Sequence, residues 1–491
     1  MVSHISLLLV VVPLIAAPVV ALLPRGRLPW VVAFIVAALC AVLAGMQLWA
    51  VLHDGAISYE LGGWAPPWGI EYRIDAVNAF VALIVAAIAA ITLPYALLSS
   101  EQEIAEEKIP LFYSALLLCL TGLLGITQTG DIFNVFVFLE ISSLASYALI
   151  SLGRQRQAFT AAYQYLIMGT IGATFYLIGV GLIYSQTGTL NMQDLATILP
   201  DVLHLKTVDT GFAFIMIGIA LKLALFPLHL WLPNAYTYAP SAVTVFLAAT
   251  ATKVAVYVML RILFTVFPHG FALASPAEEL FIVAGIAGII IASVYAIYQA
   301  DVKRLLAYSS VAQVGYMVLG IGFASVSGLT ATLVHLFNHA LMKGALFMAI
   351  GAIVYRIGAC RMEQIHGLGR AMPWTFGAIV IGGLSLVGVP GTAGFISKWY
   401  LVMAALEQQA WISVAVILSG SLLAVVYVGK LIEALYFKPV DDAGHAVSEA
   451  PLLLLVPTWS LVLANIYFGL DTELTVGVAA KAATMLAGMQ P

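Results

Sequence analysis

Residues 5–24 read ISLLLVVVPLIAAPVVALLP, a stretch without a single charge. One α-helix needs roughly 20 such residues to cross the hydrocarbon of a bilayer. On that measure about fourteen runs of this kind follow one another along the chain. They are expected at 5–24, 29–52, 75–98, 110–128, 131–152, 160–185, 209–228, 242–266, 278–299, 304–325, 329–355, 373–391, 411–437 and 452–471. Only 9% of the 491 residues are charged, against about 25% in a soluble protein. With a mean hydropathy of +1.05, lipid must be the main solvent. The expected class is an all-α polytopic membrane protein of about 14 transmembrane helices. Only short loops remain, with no room for a separate soluble catalytic domain.

The distribution of charge orients these spans. With the N-terminus outside, Arg25, Arg27, Arg154, Arg156, Lys303, Arg304, Arg356, Arg361, Arg370 and Lys438 fall on the inner side. Arg73 and Lys206 fall outside. That agrees with the excess of Lys and Arg in cytoplasmic loops and puts both termini outside. The N-terminal run has no positive charge ahead of it, so it reads as a first spanning helix and not as a cleaved signal. The loops 53–74 and 186–208 are expected outside, and "SSEQEIAEEK" (99–108) as a solvated inner loop.

Several chemistries find no support. The net charge is −4 and there is no basic tract, so nucleic-acid binding is not indicated. Cys40, Cys119 and Cys360 lie far apart, without the spacing of an iron–sulfur site. No P-loop or GxGxxG opening a helix is present. No cofactor and no metal are expected.

The informative residues are the charges placed inside apolar runs. At a helix centre each costs roughly 2.5–3.5 kcal/mol, so each is a functional candidate. Glu140 lies midway along helix five. In "LKLALFPLHLWLP" (221–233), Lys222 precedes the helix breaker Pro227. Lys253 lies on helix eight. His335, His339 and Lys343 recur every four residues and share one helical face. Lys398 follows Pro390 in "SLVGVPGTAGFISKW".

Each has a plainer reading. Glu140 as a tie between helices, snorkelling lysines and histidines satisfied by carbonyls are the structural alternatives. Haem ligation would need histidines paired across two helices at longer spacing. Lys430 and Glu433 read as a local ion pair, and Asp301, Lys303 and Arg304 as interfacial anchors. The physics of the set favours a proton route. Desolvation weakens a lysine's hold on its proton and a nearby carboxylate strengthens it, so making and breaking a Glu140–Lys222 pair works as a switch. A proline frees carbonyls of the preceding turn, which in a membrane need water or another partner. Two prolines, each near a buried lysine, suggest matching broken helices in an internal repeat. "SSLASY" (142–147) and "SSVAQVGY" (309–316) add a weak echo.

The stretches "KxxxxPLHxWLPxAY…AP" (222–240), "DVKRLLAYSSVAQVGYM" (301–317), "HxxxHxxxK" (335–343) and "GxPxxxGFxSK" (388–398) resemble the proton-conducting membrane transporter family. That family holds the antiporter-like subunits of respiratory complex I, membrane-bound hydrogenases and the multisubunit Mrp-type cation/proton antiporters. "LGGWAPPWGI…RIDAVNAF" and "TGDIFNVFVFLEISSLASYALISLG" look most like the D-type subunit of the Mrp antiporters. The resemblance implies an inverted repeat of five-helix units with broken helices 7 and 12. It divides the chain into helices 1–3 (1–109), a first repeat (110–270), a second repeat (271–438) and a last helix with its tail (439–491). It implies proton translocation through Glu140, Lys222, Lys253, His335, His339, Lys343 and Lys398, beside breaks at Pro227 and Pro390. It also implies partner membrane subunits, exchange of protons for Na⁺, and a bacterial inner membrane. A redox-driven proton-pumping complex is the alternative.

Overall fold

The computed structural model describes residues 4–267, 277–358, 360–439 and 447–488. Eighteen α-helices lie among them: α1 (Ile5–Leu22), α2 (Leu28–Asp54), α3 (Ala76–Glu103), α4 (Ile109–Gln128), α5 (Ile132–Ser151), α6 (Arg156–Thr187), α7 (Met192–Val202), α8 (Lys206–Leu223), α9 (Trp231–Tyr238), α10 (Ser241–Arg261), α11 (Ala277–Ile297), α12 (Val302–Gly322), α13 (Val326–Ile357), α14 (Pro373–Val387), α15 (Ala393–Glu407), α16 (Trp411–Tyr436), α17 (Leu452–Leu470) and α18 (Glu473–Leu486). Twelve helices among the described residues are long and apolar enough to cross a membrane. Two further crossings are each made of two pieces, α8 with α9 and α14 with α15.

Helix ends are set by ordinary capping chemistry. Asp131 and Asp301 each accept a backbone N–H three residues on, from Asn134 at 2.7 Å and Arg304 at 3.0 Å. Gly188 and Gly358 close α6 and α13 in the left-handed conformation that glycine adopts freely. These pairs expose the repeat. Asp131 and Asp301 are 170 positions apart (301 less 131), and the same shift carries Arg156–Thr187 onto Val326–Ile357 and the start of α10 onto the start of α16. It also carries the isolated bridge Asp131–Asn191 onto Asp301–Arg361. Five crossings per unit is an odd number, so the second unit runs through the membrane inverted. The serine echo is out of register with this alignment: Ser142 falls on Ala312, one helical turn beyond Ser309.

Four expectations need correction. The span at 373–391 stops at the break, and α15 completes that crossing. The stretch 99–108 is not simply a solvated loop, because α3 continues to Glu103, whose carboxylate accepts from Ser99 Oγ at 2.8 Å and Ser241 N at 2.9 Å. The supposed Lys430–Glu433 pair does not form. Lys430 donates to the Ile297 carbonyl at 3.0 Å and Glu433 pairs with Lys438 at 2.9 Å. Lys303 is no interfacial anchor but a buried side chain, 6% exposed. The loops 53–74 and 186–208 also carry structure. Ile57–Glu60 and Glu71–Ile74 pair as an antiparallel hairpin, and α7 buries Met192, Leu195 and Leu199.

Polar contacts tie the N-terminal helices to the repeats. Arg261 at the end of α10 meets Asp75 at the start of α3 at 2.5 Å. Gln47 on α2 donates to Ser6 on α1 at 2.9 Å and to Gln128 on α4 at 2.7 Å, all three fully buried.

Candidate functional site

Both broken helices end on a left-handed residue, Ala224 (φ 58°) after α8 and Gly388 (φ 90°) after α14. Pro227 and Pro390 lie in the segments that follow, and both are exposed on the outer surface of the bundle. The breaks are well satisfied internally. The Trp231 indole donates to the Leu221 carbonyl at 2.9 Å. At the second break the Lys398 ammonium donates to the carbonyls of Leu386 and Val387 at 2.8 and 3.1 Å. Asn338 holds the Ala393 carbonyl at 2.6 Å, while Ser385 bridges Gly394 N at 3.1 Å and Asn465 at 2.8 Å. In the last turns before the breaks, the carbonyls of Leu221, Leu386 and Val387 therefore have side-chain partners.

The sequence-selected residues fall into three linked groups. In the first unit, Lys222 at the end of α8 lies 3.3 Å from Glu140 on α5 and donates to Ser143 at 2.7 Å. Glu140 keeps 24% of its side chain exposed; that of Lys222 keeps 6%. Against Lys222, Ser142, Ser143, Ser146 and Tyr165 line a cavity with about 20 Å³ open to the centre of a water molecule. One water needs about 10–15 Å³ on that measure. Ala251 and Val254 of α10, the helix that carries Lys253, also line it.

Lys253 is fully buried and donates to the carbonyl of Ala248 and, at 3.4 Å, to Thr252 Oγ1. It interacts electrostatically with His335, His339 and Lys343 on α13, which packs against α10. The rings of His335 and His339 stack, with centroids 6.1 Å apart. Among the described residues, both nitrogens of His339 and Nε2 of His335 lack a protein partner. Lys343 donates to the Leu306 carbonyl at 2.9 Å and to Ser309 Oγ on α12.

The third group surrounds Lys398. His335 Nδ1 lies 2.8 Å from Ser397 Oγ. Tyr316 stands 5.7 Å from His335, centroid to centroid, and its ring lies 5.0 Å from the Lys398 ammonium. Lys398 also donates to Ser421 at 3.1 Å.

Among the described residues Lys253, Lys343 and Lys398 form no ion pair. Three ammonium-bearing side chains held on carbonyls and hydroxyls, with orphaned imidazole nitrogens between them, make a set that can take up and release protons in turn. Sequence reasoning missed Ser143, Tyr316, Ser397 and Ser421. Their hydroxyls are ordinary in composition, and only the serine stretches around 142 and 309 drew notice.

The family model described as "NADH:quinone oxidoreductase/Mrp antiporter, TM" matches residues 129–424. A "NADH-quinone oxidoreductase subunit N" of Desulforudis audaxviator is 42% identical over 488 residues, covering 96% of this chain and 97% of that one. The D-type subunit of a Na(+)/H(+) antiporter of Alkalihalophilus pseudofirmus is 30% identical over 425 residues, covering 86% and 85%. A chain of the Mrp complex from Dietzia sp. DQ12-45-1b superposes with a TM-score of 0.90 at 27% identity, covering 99% of this chain and 97% of that one. The chain belongs to the NADH:quinone oxidoreductase/Mrp antiporter transmembrane family.

Proposed function

We propose that this chain is the antiporter-like, proton-translocating subunit of a multisubunit membrane complex. Protons move along Glu140, Lys222, Lys253, His339, His335 and Lys398, with Lys343 on the flank. The observation that carries the reading is the Glu140–Lys222 pair at 3.3 Å, set beside a line of buried, carboxylate-free lysines and histidines. When Lys222 leaves Glu140, its proton is held less firmly and passes through the serine-lined cavity towards Lys253. His339 and His335 carry it on to Lys398 at the second break.

In the finer reading the complex exchanges protons for Na⁺ across a bacterial inner membrane, as suggested by likeness to a Na⁺/H⁺ antiporter subunit, with both termini outside, as suggested by the Lys and Arg distribution. A second reading, a proton-pumping subunit of a redox-driven complex, is favoured by the 42% identity to a quinone oxidoreductase subunit. Purifying the complex and identifying its other subunits separates them. Flavin and iron–sulfur subunits mark the redox-driven form, and small multipass subunits mark the antiporter. The shared reading is tested by proton uptake in proteoliposomes carrying the whole complex, with Glu140→Ala as the inactive control.

A further inference from the structure

We propose that a hollow at the seam between the two repeats, on the face bearing Arg154, is the port through which protons from water reach the buried line, and that Lys303 relays them to Lys343. The inference rests on the translocating function proposed above and adds where the route meets solvent.

The hollow measures about 260 Å³ and is lined by Glu103, Arg154, Tyr238, Asp301, Lys303 and Cys360. One water needs about 10–15 Å³ on this measure, so it holds many. The first repeat supplies Tyr238 at the end of α9, and the second supplies Asp301 and Lys303 at the start of α12. Its carboxylates are fixed in place: Glu103 holds Ser241 N at 2.9 Å, at the head of α10, and Asp301 holds Arg304 N at 3.0 Å. Lys303 lines this charged hollow and yet is itself 6% exposed, and among the described residues its ammonium has one hydrogen-bond partner, the Ala239 carbonyl at 3.3 Å. A headgroup anchor would project from the surface. Lys303 instead sits between bulk water and the interior.

Beyond it, α12 carries a polar stripe inward. Ser309, Ser310, Gln313 and Tyr316 are each no more than 1% exposed. The Leu306 carbonyl, one turn from Lys303, is held by Lys343 at 2.9 Å, and Lys343 also donates to Ser309. From Lys303 to Ser309 the helix rises about 9 Å, and the Lys343 ammonium lies within that stretch, on the Leu306 carbonyl and Ser309. Farther along, the side-chain Oε1 of Gln313 has no protein partner among the described residues, and Tyr316 touches both His335 and Lys398. The stripe thus reaches His335 and Lys398 without passing Lys222 or Lys253. The first repeat has no copy of this device, because the 170-residue shift places Phe133 at the position of Lys303. In the relay Lys343 first gives a proton to His339. An N–H bond then breaks at Lys303 as one forms at the neutral Lys343 amine, and hydronium in the hollow returns a proton to Lys303, leaving water.

The test uses the whole complex in proteoliposomes, with proton uptake read from the Arg154 face. Lys303→Met removes the amine. Lys303→Arg keeps the charge and length but cannot release a proton. Both are expected to slow uptake by about 10²-fold, the scale of a lost acid–base group, with assembly unchanged. Arginine rescue to the wild-type rate would show that the lysine is only a fixed charge and overturn the relay. Independently of folding, Gln155→Cys at the rim is assembled first and then coupled to a bulky maleimide. Cys360 does not compete, since burial pushes its thiol far above the usual range. The plugged complex should lose uptake, while uncoupled Gln155→Cys runs normally. A plugged complex at the wild-type rate refutes the port. Glu140→Ala in the same vesicles keeps the two ideas apart. If it too runs at the wild-type rate, the translocating function itself falls; if it stops while the Lys303 and plugged forms run normally, only the port falls.

Discussion

The Glu140–Lys222 contact invites the most direct perturbation. At 3.3 Å two unit charges attract by about 5 kcal/mol at an effective dielectric of about 20. Glu140 is 24% exposed along its side chain, so solvent takes part of that. Losing one partner of a largely buried pair costs about 3–5 kcal/mol. In Glu140→Ala, Lys222 keeps only its bond to Ser143 at 2.7 Å. If even about 3 kcal/mol of that coupling drives the switch, transport falls by about 10²-fold. Glu140→Asp keeps the charge with a shorter reach, and retains partial activity. The assay is co-purification of the complex to show assembly, followed by proton uptake in proteoliposomes. An assembled Glu140→Ala complex that transports at the wild-type rate would mean that the pair only ties α5 to α8, and the switching argument would fail.

Other consequences follow from the same geometry. Lys398→Ala should stop translocation and leave the Glu140–Lys222 contact in place, seen as lost uptake by a normally assembled complex. Gly394→Ala should destabilise the second break, since an added Cβ would stand 1.9 Å from the Ser385 carbonyl oxygen; a loss of about 1–3 kcal/mol is expected from overpacking, read as a lower melting temperature of the complex. Ala224→Gly should do the reverse by about 1 kcal/mol, because glycine adopts φ 58° without the strain alanine carries there; an unchanged or lower melting temperature would count against strain at the first break. Thiols introduced at Glu60 or Gln193 should react with an impermeant reagent from outside and those at Gln155 or Glu363 should not; the opposite pattern overturns the charge-based orientation.

The large features were legible because they follow from solvent and backbone chemistry. Uncharged runs marked the long helices, and Pro227 and Pro390 marked two crossings that break. What escaped were contacts with no signature in side-chain type. Lys430 reaches the Ile297 carbonyl and not the nearby Glu433, and any residue supplies a carbonyl. The half-helix α15 was hidden because Lys398 and Trp399 interrupt its apolar pattern just after the break. The hairpin at Ile57–Glu60 and Glu71–Ile74 lay in a stretch that reads as turn, and short α7 is too polar for a spanning segment. Repeat alignment was misjudged by one turn because serines recur easily in apolar helices, whereas Asp131 and Asp301 fix the register by capping.

The two break lysines differ in what opposes their charge. Lys222 faces a carboxylate on a movable side chain. Lys398 faces the last carbonyls of α14, at 2.8 and 3.1 Å, where a helix macrodipole concentrates roughly half a negative charge. A side chain can rotate away, but a helix terminus cannot. Along the proposed route the first lysine therefore sits in a field that changes during each cycle, and the second in a permanent one. Such an arrangement gates at one end and leaves a constant well at the other, so a proton arriving at Lys398 departs only when a neighbour with a stronger field, outside α14, draws it off.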